Sequence, residues 1–202
     1  MTPAMPSTAM PRSFRRSMLR GYANEIRRLG LMDQILRRVS PETAELLHAP
    51  DKAPAWVPGA RLDDILIALV ALRTREAARE LGYRLIKGGT LEAVLAPIIS
   101  FSLTFLGGDP ASLFSRAQVM ASVISHGIEL RWEKTGPTAG TIKIVTEEPM
   151  PDPSWAAWEG ALSFAFELTS TAGEISPARP APDDRCGEVR ISWKASGRQP
   201  AG

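Results

Sequence analysis

The stretch PSWAAWEGALSFAFELTS, Pro153 to Ser170, places two tryptophans, two phenylalanines and two leucines among eighteen residues that carry only two charges. At helical spacing Trp155, Trp158, Leu162 and Phe166 share one face, and Ala157, Ala161, Phe164 and Leu168 share a second. Glu159, Ser163, Glu167 and Ser170 are left with a narrow polar stripe. A helix that is apolar on two faces needs a neighbour on each, so it belongs inside a fold.

The flanking segments supply one neighbour. In HGIELRWEKT, Ile128, Leu130 and Trp132 alternate with Glu129, Arg131 and Glu133, which predicts a strand with one wet face. GPTAG is a turn, TIKIVTE returns with Ile142 and Ile144, and VRISW brings Val189, Ile191 and Trp193 to one side. Ala117 to Ile124 reads as a third strand, and Gly173 to Ala178 as a short edge strand limited by proline. A one-sided antiparallel sheet results, and the Trp155 to Leu168 helix covers it.

The preceding half is helical. Phe14, Met18, Tyr22, Ile26 and Leu29 recur at helical spacing among six arginines, and Gly30 ends that basic helix. Short helices follow over about Met32 to Val39 and from Ser40 to His48, the latter capped by Ser40 with Pro41 at its first position. The proline-rich connector APDKAPAWVPGA carries Trp56 as an anchor to the core. Arg61 to Ile86 reads as one or two helices and Leu91 to Leu106 as a nearly all-apolar buried one, stopped by GGDP. The fold class expected is α+β: a helical N-terminal half packed on an antiparallel sheet of four or five strands, with a covering helix before the last strands.

Length allows one good core, which predicts a single domain over residues 12–194 between disordered ends at 1–11 and 195–202. A net charge of +2 gives no electrostatic case for nucleic acid as partner. The single cysteine, Cys186, excludes an internal disulfide and a cysteine-based zinc site and suits the cytoplasm. No secretory signal is visible, and the longest apolar run is interrupted by Glu92 and Pro97 before it could span a bilayer.

The order of parts, with WAAWEGAL.FAFELT..AGEI followed by DDRCGEVRISW, resembles a ligand-binding superfamily. It contains haem-nitric-oxide-binding domains, 4-vinyl-reductase-type hydrocarbon-binding domains and TRAPP-type tethering subunits. VRISW, REAARELGYRLIKGG (Arg75 to Gly89) and GGDPASLF look more narrowly like an uncharacterised paralogous family of myxobacteria. The resemblance spans roughly Leu62 to Trp193 and implies a fold that often encloses an apolar ligand between its helical half and its covering helix. Haem-binding members use a helical histidine as axial ligand and a tyrosine, serine and arginine set for the propionates, and this sequence shows no such set. Its histidines are His48 at a helix end and His126 in a turn, and no cofactor is expected.

Catalytic constellations are thin. Ser125 and His126 are adjacent without a third member, KGGT lacks the rest of a phosphate-binding loop, and no His, Cys, Asp or Glu cluster has metal-ligand spacing. Glu159, Cys186 and His126 are the sole candidate acids, bases or nucleophiles for an enzyme acting on a hydrophobic biosynthetic intermediate, such as a cyclase or hydrolase. The reading favoured is a non-enzymatic binding module for an apolar small molecule, lipid or secondary-metabolite-like. Its candidate wall is Trp56, Leu95, Ile98, Phe101, Trp132, Trp155, Trp158, Leu162, Phe166 and Trp193. The same residues also compose an ordinary helix-on-sheet core. A homodimeric interaction or scaffold subunit, using the basic first helix or a sheet edge, is the other reading.

Overall fold

The computed structural model describes residues 11–195, apart from 88–89 and 106–107 and the side chains of 90–94. Both disordered ends expected from the sequence therefore lie largely outside the described residues. The order is β1 (Ser13–Arg15), α1 (Arg16–Arg28), α2 (Met32–Leu36), α3 (Pro41–His48), a 3-10 turn (Pro50–Lys52), β2 (Trp56–Pro58), α4 (Gly59–Leu72) and α5 (Arg75–Ile86). There follow α6 (Thr90–Phe105), α7 (Pro110–Phe114), α8 (Ala117–Ile124), β3 (Ser125–His126), β4 (Ile128–Gly136) and β5 (Ala139–Thr146). Last come α9 (Asp152–Leu168), β6 (Gly173–Ile175), β7 (Arg179–Pro180) and β8 (Cys186–Trp193). The α+β class is as the sequence pattern requires.

The main sheet has five antiparallel strands in the order β4-β5-β8-β6, with β7 also on β8. Leu130 opposes Ile144, Trp132 opposes Ile142, and Ile142 opposes Val189, so the alternating apolar residues of three strands meet on one buried face. Glu129, Arg131, Lys143, Glu188 and Arg190 point the other way and are exposed. Gly187 leaves room on the inner face for the fully buried ring of Trp155, since a Cβ there would lie 2.6 Å from it.

Helix α9 is clamped between this sheet and α5. A Cβ on Gly160 would sit 1.8 Å from the Arg79 carbonyl oxygen, and one on Gly82 would sit 1.9 Å from that of Ala157. The two backbones are thus in contact, each through the other's glycine. Arg75 reinforces the crossing: its Nη1 and Nη2 donate to Glu159 at 2.9 and 2.6 Å and its Nε donates to Asp152 at 3.0 Å.

Three expectations are corrected. Residues 117–124 form helix α8, because Ala117, Ala121 and Ile124 fall on one buried helical face, and only Ser125 and His126 continue as a strand. Phe14 precedes the helix and sits in β1, where it pairs with Val57 and Ser125 in a small sheet of order β2-β1-β3. Of the Leu91 to Leu106 segment, the residues up to Phe105 form α6 and Leu106 lies outside the described residues, yet Phe101 and Phe105 are 49% and 71% exposed, so that helix is not buried all round. In α1, Met18, Leu19, Tyr22, Ala23 and Ile26 are buried against their own chain. No helix among the described residues is long and apolar enough to cross a membrane.

Candidate functional site

Two small cavities lie back to back under α9. The larger, about 80 Å³, is walled by Leu95 and Ile99 of α6, Leu113 and Phe114 of α7, Ala117, Met120 and Ala121 of α8, Leu130 of β4, and Leu162, Phe164, Ala165 and Leu168 of α9. The smaller, about 60 Å³, is walled by Arg12, Phe14, Met18, Tyr22, Leu62, Asp63, Leu66, Gly82, Leu85, Ser154 and Ala157. Ile86, Ile124, Trp158 and Ala161 border both and form the partition between them. Helix α9 makes this possible, since Trp155 meets the sheet while Trp158, Ala161 and Leu162 border space that the surrounding side chains do not fill.

Chemically the cavities differ. Among the described residues the larger has no titratable side chain on its wall. The smaller borders an ion pair: Arg12 is 2% exposed, its Nη1 donates to Asp63 Oδ1 at 3.0 Å and its Nη2 donates to Oδ2. Ser154 Oγ donates to the same Oδ1 at 2.6 Å. Tyr22 stands beside them, and burial pushes its ionisation well above the ordinary tyrosine range, helped by the Asp63 charge and opposed by Arg12.

Of the residues expected in a ligand wall, Leu95, Trp158 and Leu162 line the larger cavity, and Trp158 lines both. Ile98 packs half-buried against the core, and Phe101 lies beside Phe105 at the surface, the rings tilted by 34°. Trp132, Trp193 and Phe166 gather around Phe114 with ring centroids 5.2, 6.5 and 6.1 Å away, so they back one wall residue without lining the space. Trp155 lies on Gly187. Trp56 belongs to the small sheet, where it stacks on His126 at 3.6 Å with the Arg15 guanidinium over its ring.

The candidate reactive groups are tied into structure. Glu159, read as part of a narrow polar stripe, is fully buried and receives both terminal Arg75 nitrogens and the Ala178 amide, the last at 2.7 Å. A carboxylate so occupied is a structural anchor. Ser125 Oγ donates to the Ala121 carbonyl at 2.8 Å, away from any nucleophilic role with its neighbour His126, which is half-buried in β3 and not an exposed turn. Cys186 opens β8, half-buried. Missed by the sequence reading were the α7 and α8 walls and the Arg12, Tyr22, Asp63 and Ser154 group. The one local signal for that group is Arg12 just before the basic amphipathic helix, with no acidic residue within its own turn.

The architecture is that of H-NOX proteins. An Fe(II) unliganded H-NOX protein from K. algicida superposes with a TM-score of 0.68 at 9% identity, covering 92% of this chain and 99% of that one. A Cs H-NOX mutant gives 0.62 at 13% identity, with coverage of 92% and 99%. A mutant H-NOX of T. tengcongensis gives 0.59 at 12%, with coverage of 91% and 100%. Identities this low establish a shared fold. No family model and no curated protein matches the chain.

Proposed function

We propose that the chain is a non-enzymatic binding module for a small apolar molecule held under α9, between the helical half and the sheet. The observation that carries this is the pair of cavities meeting at Trp158 and Ala161. Protein interiors are close-packed and leave few voids larger than a water, so two adjoining ones behind a thin partition are space kept by design. Their volumes fall far below the roughly 300 Å³ at which pockets for drug-sized ligands begin, which favours a slender aliphatic body of a few carbons.

H-NOX proteins of the same fold are described in terms of Fe(II) and heme. The residues here do not fit that group. Neither cavity wall contains a histidine or cysteine. His48 ends α3 at the surface, and His126 is engaged with Trp56. Met18 and Met120 border different cavities, and a macrocycle does not fit in either space. The ligand inferred is therefore not haem. A cytoplasmic setting, one domain over residues 12–194, and kinship to the myxobacterial family with its VRISW and GGDPASLF stretches belong to the same reading.

Native mass spectrometry of freshly purified protein, with an organic extract and a visible absorption spectrum of the same sample, tests it. The expected result is a reproducible mass above the 21.9 kDa chain, released by solvent, with no haem absorption. Ala161→Phe, which fills the partition, is expected to abolish that mass. A bare chain that also takes up no added hexane refutes the reading. The second reading, a homodimeric interaction subunit, is favoured by the exposed neighbouring rings of Phe101 and Phe105. Light scattering at high concentration tests it, and a monomer removes it.

A further inference from the structure

The two cavities differ in polarity at one end only, and that difference bears on the class of ligand. We infer that the smaller cavity is the head-group end of the site and takes an uncharged oxygen, a hydroxyl or carbonyl, on an otherwise aliphatic molecule. This rests on the binding-module reading above and narrows its ligand.

Two polar groups belong to wall residues of the smaller cavity: Arg12 Nε, buried with no hydrogen-bond partner among the described residues, and the hydroxyl of Tyr22, a residue 4% exposed. Buried polar groups are almost always satisfied, so donors placed at the edge of a void are an offer to a ligand oxygen. The neighbouring charges decide which atom. Both terminal nitrogens of Arg12 are taken by Asp63, and Ser154 occupies Asp63 Oδ1 as well, so the ion pair carries no net charge and Arg12 keeps only its Nε–H to offer. A ligand carboxylate here would set a second buried anion beside Asp63, with the Arg12 charge already balanced, and an ammonium would face Arg12 in the same way. A neutral oxygen meets neither penalty and satisfies Tyr22. Beyond the partition at Trp158 and Ala161 the described residues of the larger cavity's wall are all apolar, which suits the hydrocarbon end.

The test is calorimetric titration of the full chain and of Tyr22→Phe with hexane, hexanol, hexanone and hexanoate, each variant first checked for an unchanged thermal melt. Hexanol and hexanone are expected to bind the wild type and to lose about tenfold on Tyr22→Phe, the scale of one buried hydrogen bond. Hexane is expected to bind both proteins alike, and hexanoate to bind worst. Hexanol and hexanone affinities unchanged in Tyr22→Phe, or hexanoate binding best, overturn the head-group assignment while leaving the pocket standing. Failure of all four to bind, hexane included, overturns the pocket and this inference together. Should Tyr22→Phe itself melt early, proton exchange of the Tyr22 hydroxyl in the wild type replaces it: slowing on addition of hexanol supports the assignment, and no change overturns it.

Discussion

Substituting Gly160 by alanine should destabilise the fold through a single added methyl group. The new Cβ would lie 1.8 Å from the Arg79 carbonyl oxygen and 2.9 Å from the Tyr83 nitrogen, both backbone atoms that cannot rotate away. Ordinary contact begins near 3.4 Å, so α5 and α9 must separate by about 1.6 Å along their tightest line of packing. Overpacking of this kind costs about 3 kcal/mol, and alanine returns about 1 kcal/mol of helix propensity, leaving a net loss of about 2 kcal/mol. In a chain of this size that is a fall in Tm of about 4–8 °C. Gly21→Ala is the matched control. It also lies in a helix and gains the same propensity, but its Cβ meets only the flexible end of Leu85, at 2.7 Å. Thermal melts followed by circular dichroism should therefore show Gly160→Ala well below wild type and Gly21→Ala near it. Equal melting of the two variants would refute the claim that backbone contact fixes the α5 and α9 crossing.

Other outcomes follow from the same contacts. Tyr22 keeps its proton in the folded state above its ordinary pKa of about 10, so at higher pH the unfolded chain releases a proton that the native one retains. Stability attributable to this group is full below that pH and falls by about 1.4 kcal/mol per pH unit above it, a slope that urea titrations should find missing in Tyr22→Phe. Glu159→Gln should lower the urea midpoint by the equivalent of about 1–3 kcal/mol, tempered because Arg75 keeps some access to water, and a negligible change would mean the pair behaves like a surface one. Ser40→Ala should cost about 1 kcal/mol in the same assay, because Ser40 Oγ caps α3 at Thr43 and also donates to Asp64 at 2.8 Å.

The parts of this fold that were legible are those written locally. Alternation at Ile128, Leu130 and Trp132, its echo at Ile142 and Ile144, and the two-faced wheel of residues 155–168 each specify an element and its buried side, and the sheet and its covering helix follow. Residues 117–124 were misjudged because AQVMASVI is short, apolar and rich in β-branched residues, so its period does not decide between helix and strand. Glu159 was misjudged because its partner Arg75 is 84 residues away, and a lone carboxylate on an apolar helix looks like solvent-facing polarity until that partner is seen. The cavities were hidden for a related reason. Their walls come from β1, β4, α1 and α4 to α9, and tryptophans attract attention by size, whereas Trp56, Trp132 and Trp193 act elsewhere and the partition depends on Ala161, Ile86 and Ile124.

The most direct measurement of the central claim is a methyl-resolved NMR titration of the intact chain with hexane. The account predicts saturable shifts at Leu95, Ile99, Ile124, Leu130 and Leu162, with Val57 and Val189 unmoved. Shifts confined to the exposed side of α6, or no saturable shift at all, would contradict it.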